Sequence, residues 1–554
     1  MPCRVGDPEG GSVKRLLTAL PLVAALAAGC APETPCPECG VIVIASGADA
    51  DVLLPVFAQG VGRAVSDQIF LKLADVGLGA NTVGDSGFVP RLAQSWDWED
   101  DTTLVFTLQP EARWQDGVPV TPADVAFTFL AYRDTTLNAA AGPLLANIAS
   151  VEVRDDQRVV FRFREYYPEQ FFDATHHMRI LPRHLLDTIP RDQWRTHPLA
   201  RNPVGDGPYR LAEWRPGELI ELKANESFFG GKPGADRLIW RISPDFNAAI
   251  GQLVGGEADF VEAVVGPENI TRVQAAPNVR LMEYASPVYF YLGFNLRAQR
   301  EPGQHPLFGD RDLRRAIALA TDRRTLVEAV LGGWGTVPPG PTTPVVWIAD
   351  GATPQLPYDS AAAGRLLDSL GWRDTDGDGI RDRGGRRLAF DLAFPSSSGV
   401  RQRAAVILQE QYRRQGIDLR LAPLEFNVWM DRARTGRFDA ILGAWQIDLP
   451  PAGMRELWGS AGIGGSNYGS YASPTFDSLV ATAIATADRA KARTLWHEAI
   501  TVINNDAPAV WLFSPKTIAG VSRRLENVTL RPDEWWATLW TWQAGRREEQ
   551  GGGK

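Results

Sequence analysis

Cysteine is nearly absent from this chain of 554 residues. The four that occur, Cys3, Cys30, Cys36 and Cys39, all precede residue 40, so no disulfide framework holds the remainder together. The fold must stand on a hydrophobic core. Cys36-Pro-Glu-Cys39 is a CxxC pair. A zinc site needs two further ligands, and the six histidines lie far away. A thioredoxin-type site needs a helix after the pair, whereas Gly40 and the strand-like Val41-Ile42-Val43-Ile44 follow. Residues 30–40 therefore read as a tether, where a local disulfide is the remaining use of the pair.

Clustered positive charge is also missing. Lys and Arg total 57 against 66 Asp and Glu, a net charge of −9, with no basic block or tail, which argues against a nucleic-acid partner. Long apolar runs are missing except for one. Leu16 to Ala28 is a run of 13 residues behind Lys14 and Arg15, too short for a span of about 20 residues. A basic start, a short apolar run and small residues before a cleavage point make residues 1–29 a signal peptide. Ala27-Ala28-Gly29-Cys30 resembles the lipobox of bacterial lipoproteins, in which the Cys is acylated after cleavage, although Ala27 stands where Leu is more usual. Residues 1–12 precede this pattern and look unlike it, so Val13 is an alternative start. The expectation is an exported protein, lipid-anchored through Cys30 on the periplasmic or cell-surface face of a membrane.

Catalytic signatures are lacking as well. There is no Walker loop, no GxSxG and no HExxH. His176-His177 and His497-Glu498 stand alone, and Asp100-Asp101 and Asp155-Asp156 read as hairpin turns. With no nucleophile–base pair and no metal cluster, a hydrolase is disfavoured, and neither an enzymatic activity nor a cofactor is expected. Asp374, Asp376, Asp378 and Asp382 occupy positions 1, 3, 5 and 9 of a calcium-loop pattern with Gly379 at 6. Gly385 stands at position 12 in place of the bidentate Glu, so the loop reads as a polar turn with weak calcium affinity at most.

What is present is an ordinary globular composition, 44% hydrophobic and 22% charged, with 18 Trp. Strand and helix patterns alternate, predicting an α/β fold. Leu104–Leu108 and Val159–Phe163 are strand-like, and Thr121-Pro122-Ala123-Asp124 opens a helix. Residues 388–445 read as strand, helix to a stop at Gly416, strand, helix to a stop at Gly436, and strand. Such β-α-β-α-β order predicts right-handed crossovers and a largely parallel sheet, with ligands beyond the carboxyl ends of its strands. Trp445, Gln446, Ile447 and Asp448 lie at that end of the last strand.

Four stretches in order resemble family 5 of the extracellular solute-binding proteins, the peptide/nickel group that serves ABC importers. They are Pro90–Trp96 with Trp114–Val125; Asn202–Tyr209 with Asn225 to Pro233; Phe290–Asn295 with Asp312 to Arg323; and Gly465–Tyr471 with Asp506-Ala-Pro508. The likeness runs from about residue 41 to 542. It implies a two-lobed periplasmic-binding-protein-like fold of class II, with an extra domain and a hinge between the lobes. Lobe I would be 41–86, 201–283 and 515–543, the extra domain 87–200, lobe II 284–514, and 544–554 a tail. Peptide-binding members carry a Trp-x-x-Asp whose carboxylate pairs with the ligand's α-ammonium, and Trp445-Gln-Ile-Asp448 has that spacing. Leu449-Pro450-Pro451 after it is less polar than in typical peptide binders. Tyr291, Asn295, Asn467 and Tyr468, from the third and fourth stretches, are further ligand-binding candidates. The implied partners are a peptide ligand, permease subunits and a membrane, with the protein itself a monomer. An oligosaccharide binder of the same family is the alternative, with Trp334, Trp347, Trp429, Trp445 and Trp511 as stacking platforms. A purely structural or adhesive surface lipoprotein would have no closed pocket.

Overall fold

Period-two alternation sorts the central strands into two faces. Along Val288–Phe294, Tyr289 and Tyr291 enter one hydrophobic layer, while Leu292 and Phe294 enter the other. The neighbouring strand Ala509–Ser522 does the same with Trp511 against Val510 and Leu512. A register shift between Phe290 and Tyr291 leaves Leu512 unpaired, so Phe513 falls on the same layer as Leu512. The computed structural model describes residues 40–297, 303 and 305–545; the expected signal, tether and Cys30 lie outside them. The described residues all fall within one compact unit.

These strands belong to a twelve-stranded sheet that passes through two lobes. From the lobe II edge the order is Asp418–Leu424, Ala389–Pro395, Ala440–Gln446, Val288–Phe294 and Ala509–Ser522. It continues through Phe260–Val261, Val41–Ser46, Arg237–Ile242, Leu219–Ala224 and Tyr209–Arg215. The expected largely parallel sheet needs correction. Parallel pairing holds where helices cross over, at Ala389–Pro395 with its two neighbours and at Val41–Ser46 with its two. The other pairs are antiparallel: Tyr209–Arg215, Leu219–Ala224 and Arg237–Ile242 follow one another as local hairpin neighbours, and the segments that join the lobes run back alongside each other.

Two chain segments make that junction. Val279–Ala285 pairs with residues 516–522, and Val288–Phe294 pairs with residues 509–513. Between them each segment carries a Ser-Pro, Ser286-Pro287 and Ser514-Pro515. Proline has no N–H to give a ladder, so the pairing between these two segments lapses there, while Ser514 and Pro515 pair instead with Thr336 and Gly335. Serine hydroxyls take over: Ser514 donates to the Val288 carbonyl at 2.8 Å, and the Val288 N–H donates to Ser286 Oγ at 3.2 Å.

A four-stranded antiparallel sheet, Ala93–Asp100, Thr103–Leu108, Arg158–Phe163 and Ile148–Val153, stands apart in hydrogen bonding. It is not apart in packing. Its Leu104, Phe106 and Phe161 share one hydrophobic cluster with Ile42, Leu238 and Trp240 of lobe I.

Candidate functional site

The strand Ala440–Gln446 is buried at its start and emerges at Gln446. The Ile447 N–H donates to the Pro287 carbonyl at 2.9 Å, tying the strand end to the lobe junction. Leu449 is 4% exposed and packs with Val345 into the hydrophobic cluster of lobe I. Between these two anchors Asp448 is exposed, and among the described residues its carboxylate has no hydrogen-bond or ion-pair partner.

Asp448 lines a cavity of about 690 Å³, within the range of small-molecule sites. Lobe II contributes Asp448, Pro450, Glu456 and an irregular stretch including Thr342 and Val345. Lobe I contributes Arg63, Asp533, Glu534 and Trp536; the small-sheet region contributes Glu169, Phe172, Asp173, His176 and His177. The cavity therefore gathers side chains from stretches far apart in the sequence.

The other expected site residues do not line it. Trp445 packs on Tyr468, ring centroids 5.2 Å apart. Tyr291 is 3% exposed, edge-on to Trp458 at 5.1 Å, and burial pushes its hydroxyl well above the usual tyrosine range. The Asn295 amide donates to the carbonyls of Gly436 and Phe438, at 2.8 and 3.0 Å. The Asn467 amide donates to those of Gly459 and Tyr471, at 2.9 and 2.8 Å. Both amides close loops of lobe II, so none of these five side chains lines the cavity. Trp334, Trp347, Trp429 and Trp511 do not line it either; Trp536, which the sequence did not single out, does.

The floor of the cavity is an ion network. Glu534 accepts from Lys72 at 2.6 Å and from Arg179 at 2.7 Å, with Arg63 at 3.3 Å. Burial would raise the Glu534 carboxyl, but Lys72 and Arg179 hold it well below the usual range. Arg179 also forks onto Asp67, both contacts at 2.7 Å, and Trp536 Nε1 donates to Asp67 at 2.8 Å.

Another part of the cavity wall is built on the short helix Gln170–His176. Glu169, Asp173 and His176 or His177 recur at helical spacing, a signal missed because the histidines were read as isolated. Asp173 accepts from Tyr167 at 2.8 Å and meets His177 Nε2 at 3.2 Å. Burial, with the neighbouring Asp173 charge, pushes the Glu169 carboxyl up to about 8, opposed by the Thr82 hydroxyl at 3.4 Å. His176 stacks on Phe172, and burial together with Lys72 drives its imidazole well below its ordinary value, so it is neutral.

Among the described residues, only Asp374, Asp376 and Asp378 gather three metal-ligating atoms within 4.8 Å of one another. They sit on an exposed turn. Asp374 accepts from the N–H groups of Gly377 and Gly379, Asp378 pairs with Arg387, and Asp382 accepts from Thr375. Among the described residues no helix is long and apolar enough to cross a membrane.

Residues 87–466 match the middle region of the bacterial extracellular solute-binding proteins, family 5. The oligopeptide-binding protein AppA of Bacillus subtilis is 28% identical over 436 residues, 76% of this chain and 79% of that protein. Protein XP55 of Streptomyces lividans is 31% identical over 442 residues, 79% of this chain and 76% of its own. The structure of the Bacillus subtilis AppA in complex with a nonapeptide superposes with a TM-score of 0.67 at 25% identity, covering 91% of this chain and 99% of that one. That of CtaP from Listeria monocytogenes gives 0.77 at 23% identity, with 91% and 99% covered.

Proposed function

The chain belongs to the bacterial extracellular solute-binding proteins of family 5, and from that premise we propose that it captures peptides between its lobes and delivers them to an ABC-importer permease. The observation that carries this reading is Asp448, an unpartnered carboxylate on a cavity otherwise rich in apolar side chains. An exposed carboxylate with no partner of its own on a cavity wall is free to accept a charge-assisted hydrogen bond, and a peptide's α-ammonium is a donor of that kind. The peptide named in the structure of the related AppA supports the ligand class. The cavity's single tryptophan, Trp536, weighs against an oligosaccharide, which stacks on several aromatic faces. The relatives are solute-binding proteins, and we read this chain as a binder and not an enzyme. Retention at the membrane depends on Cys30 in this reading, with one thioether-linked diacylglycerol on its thiol carrying the two chains that give stable anchoring.

Calorimetry with one pentapeptide carrying a free or an acetylated N-terminus tests the ligand class. Binding that is lost on acetylation supports it; equal binding of both forms removes Asp448 as the ammonium anchor. Fractionation of Cys30→Ser tests the anchor, since a variant that stays in the membrane at wild-type levels refutes lipidation there.

A further inference from the structure

Several of the carboxyl groups that line the cavity have no cation beside them among the described residues. Asp533 pairs with Arg531 at 2.6 Å, and Glu534 with Lys72, Arg179 and Arg63. Those ions are spoken for. Asp448 and Glu456 have no partner among the described residues, and both are exposed to the cavity. On the wall built on the helix Gln170–His176, Glu169 has the Thr82 hydroxyl at 3.4 Å and no cation. Asp173 has Tyr167 and His177. One α-ammonium at Asp448 leaves this second wall uncompensated.

Two polar atoms on the same cavity reinforce the point. His176 Nδ1 is buried with no hydrogen-bond partner, and so is the hydroxyl of Thr342, a residue 1% exposed. Native structures leave few buried polar atoms unsatisfied. In the tautomer protonated at Nε2, a neutral imidazole offers Nδ1 as an acceptor for an N–H. The side chains that meet carboxylates and an acceptor nitrogen together are ammonium and guanidinium groups. A metal ion fits less well, because the ligating atoms of Glu169, Asp173, His176 and His177 do not converge to metal distance.

We propose that Glu169, Asp173 and His176 form a second cation subsite, which takes the side chain of a lysine or arginine in the bound peptide while Asp448 takes its α-ammonium. The inference rests on the peptide reading above and narrows its ligand class to basic peptides. The elevated pKa of Glu169 agrees with it, since an acid poised near neutrality ionises when a cation arrives.

The test is calorimetry of the full chain with alanine pentapeptides in which one lysine moves through positions two to five, beside glutamine and glutamate counterparts. The expected result is one position where lysine binds at least about tenfold more tightly than glutamine, with glutamate weakest. In Glu169→Gln that lysine-to-glutamine ratio should fall towards one. Equal affinity for lysine and glutamine at every position, while free N-termini still bind better than acetylated ones, overturns the second subsite and leaves the peptide reading standing. A ratio that survives Glu169→Gln but collapses in Glu456→Gln moves the contact to the other wall and overturns the assignment. Absence of binding by every peptide overturns the peptide reading and this inference with it.

Discussion

Arg179 and Glu534 lie 355 residues apart in sequence and meet at 2.7 Å. Their side chains are only 3% and 6% exposed, so the pair rivets the C-terminal segment to the small-sheet region under the cavity floor. Removing one member leaves buried cations uncompensated. Glu534→Ala should therefore cost about 3–5 kcal/mol of stability, read as a lower denaturant midpoint. The Glu534 carboxyl is depressed when folded, so its contribution is whole above the usual glutamate range and is lost as pH falls through the folded value. Wild type should lose stability on acidification more steeply than the variant; parallel acid titrations would contradict this account.

Asp206 shows the opposite sign. It is 1% exposed, one oxygen accepts from the Leu71 N–H at 2.9 Å, and the other has no partner. Burial pushes its carboxyl up to about 8. A raised acid favours the folded state below the ordinary aspartate range and loses that advantage as pH rises towards 8, at up to about 1.4 kcal/mol per pH unit. Asp206→Asn keeps the acceptor for Leu71 and removes the titration. It should melt higher than wild type at pH 8, with the gap closing towards pH 5. A gap that does not vary with pH counts against the buried acid.

Asp448→Ala should weaken binding of a peptide with a free N-terminus by about 2–5 kcal/mol, roughly thirty- to several-thousand-fold. The exposed carboxylate makes no contact within the described residues, so the melting point of the ligand-free protein should scarcely change. Calorimetry and thermal melts on the same preparation separate the two effects.

Gly443 lies under the ring of Tyr291, where a Cβ would collide with the phenol. Gly443→Ala should lose about 1–3 kcal/mol through overpacking. Tyr291→Phe, which leaves the ring over Gly443, should not relieve it; Tyr291→Ala in the Gly443→Ala background should recover part of the loss. Chemical denaturation of the double-mutant cycle decides.

The Asp374–Asp382 turn already uses its carboxylates on its own N–H groups and on Arg387. Millimolar calcium should leave the melting point unchanged relative to EDTA. A stabilisation abolished by Asp376→Ala would show a bound ion.

The β-α-β-α-β unit was legible because its punctuation is local. Gly416 and Gly436 take φ of +72° and +67°, a left-handed backbone that glycine adopts without strain. The apolar runs between them form the expected strands and helices. The junction was not legible, because Val279–Ala285 finds its partner more than 230 residues later in the chain. The same division holds at the site. Asp448 could be located from the end of one strand. The wall built on the helix Gln170–His176 needs tertiary structure to bring it onto the same cavity. Asn295 and Asn467 stood out in the motifs, and their amides serve loop closure. A motif records that a side chain is required without recording whether the requirement is architectural.

The long strand Ala509–Ser522 sits in the middle of the sheet, with lobe I partners on one part and lobe II partners on the other. Synthesis proceeds from the N-terminus, and domains generally fold as their residues emerge. Here the strand Phe260–Val261 must wait, because its second neighbour, Ala509–Ser522, is made after the whole of lobe II. Arg531, Glu534 and Trp536 arrive later still and bring the floor of the cavity with them. A chain stopped short of its C-terminus therefore has no receptor in it. Ligand capture is the last property the polypeptide acquires, and a peptide that binds reports a finished molecule.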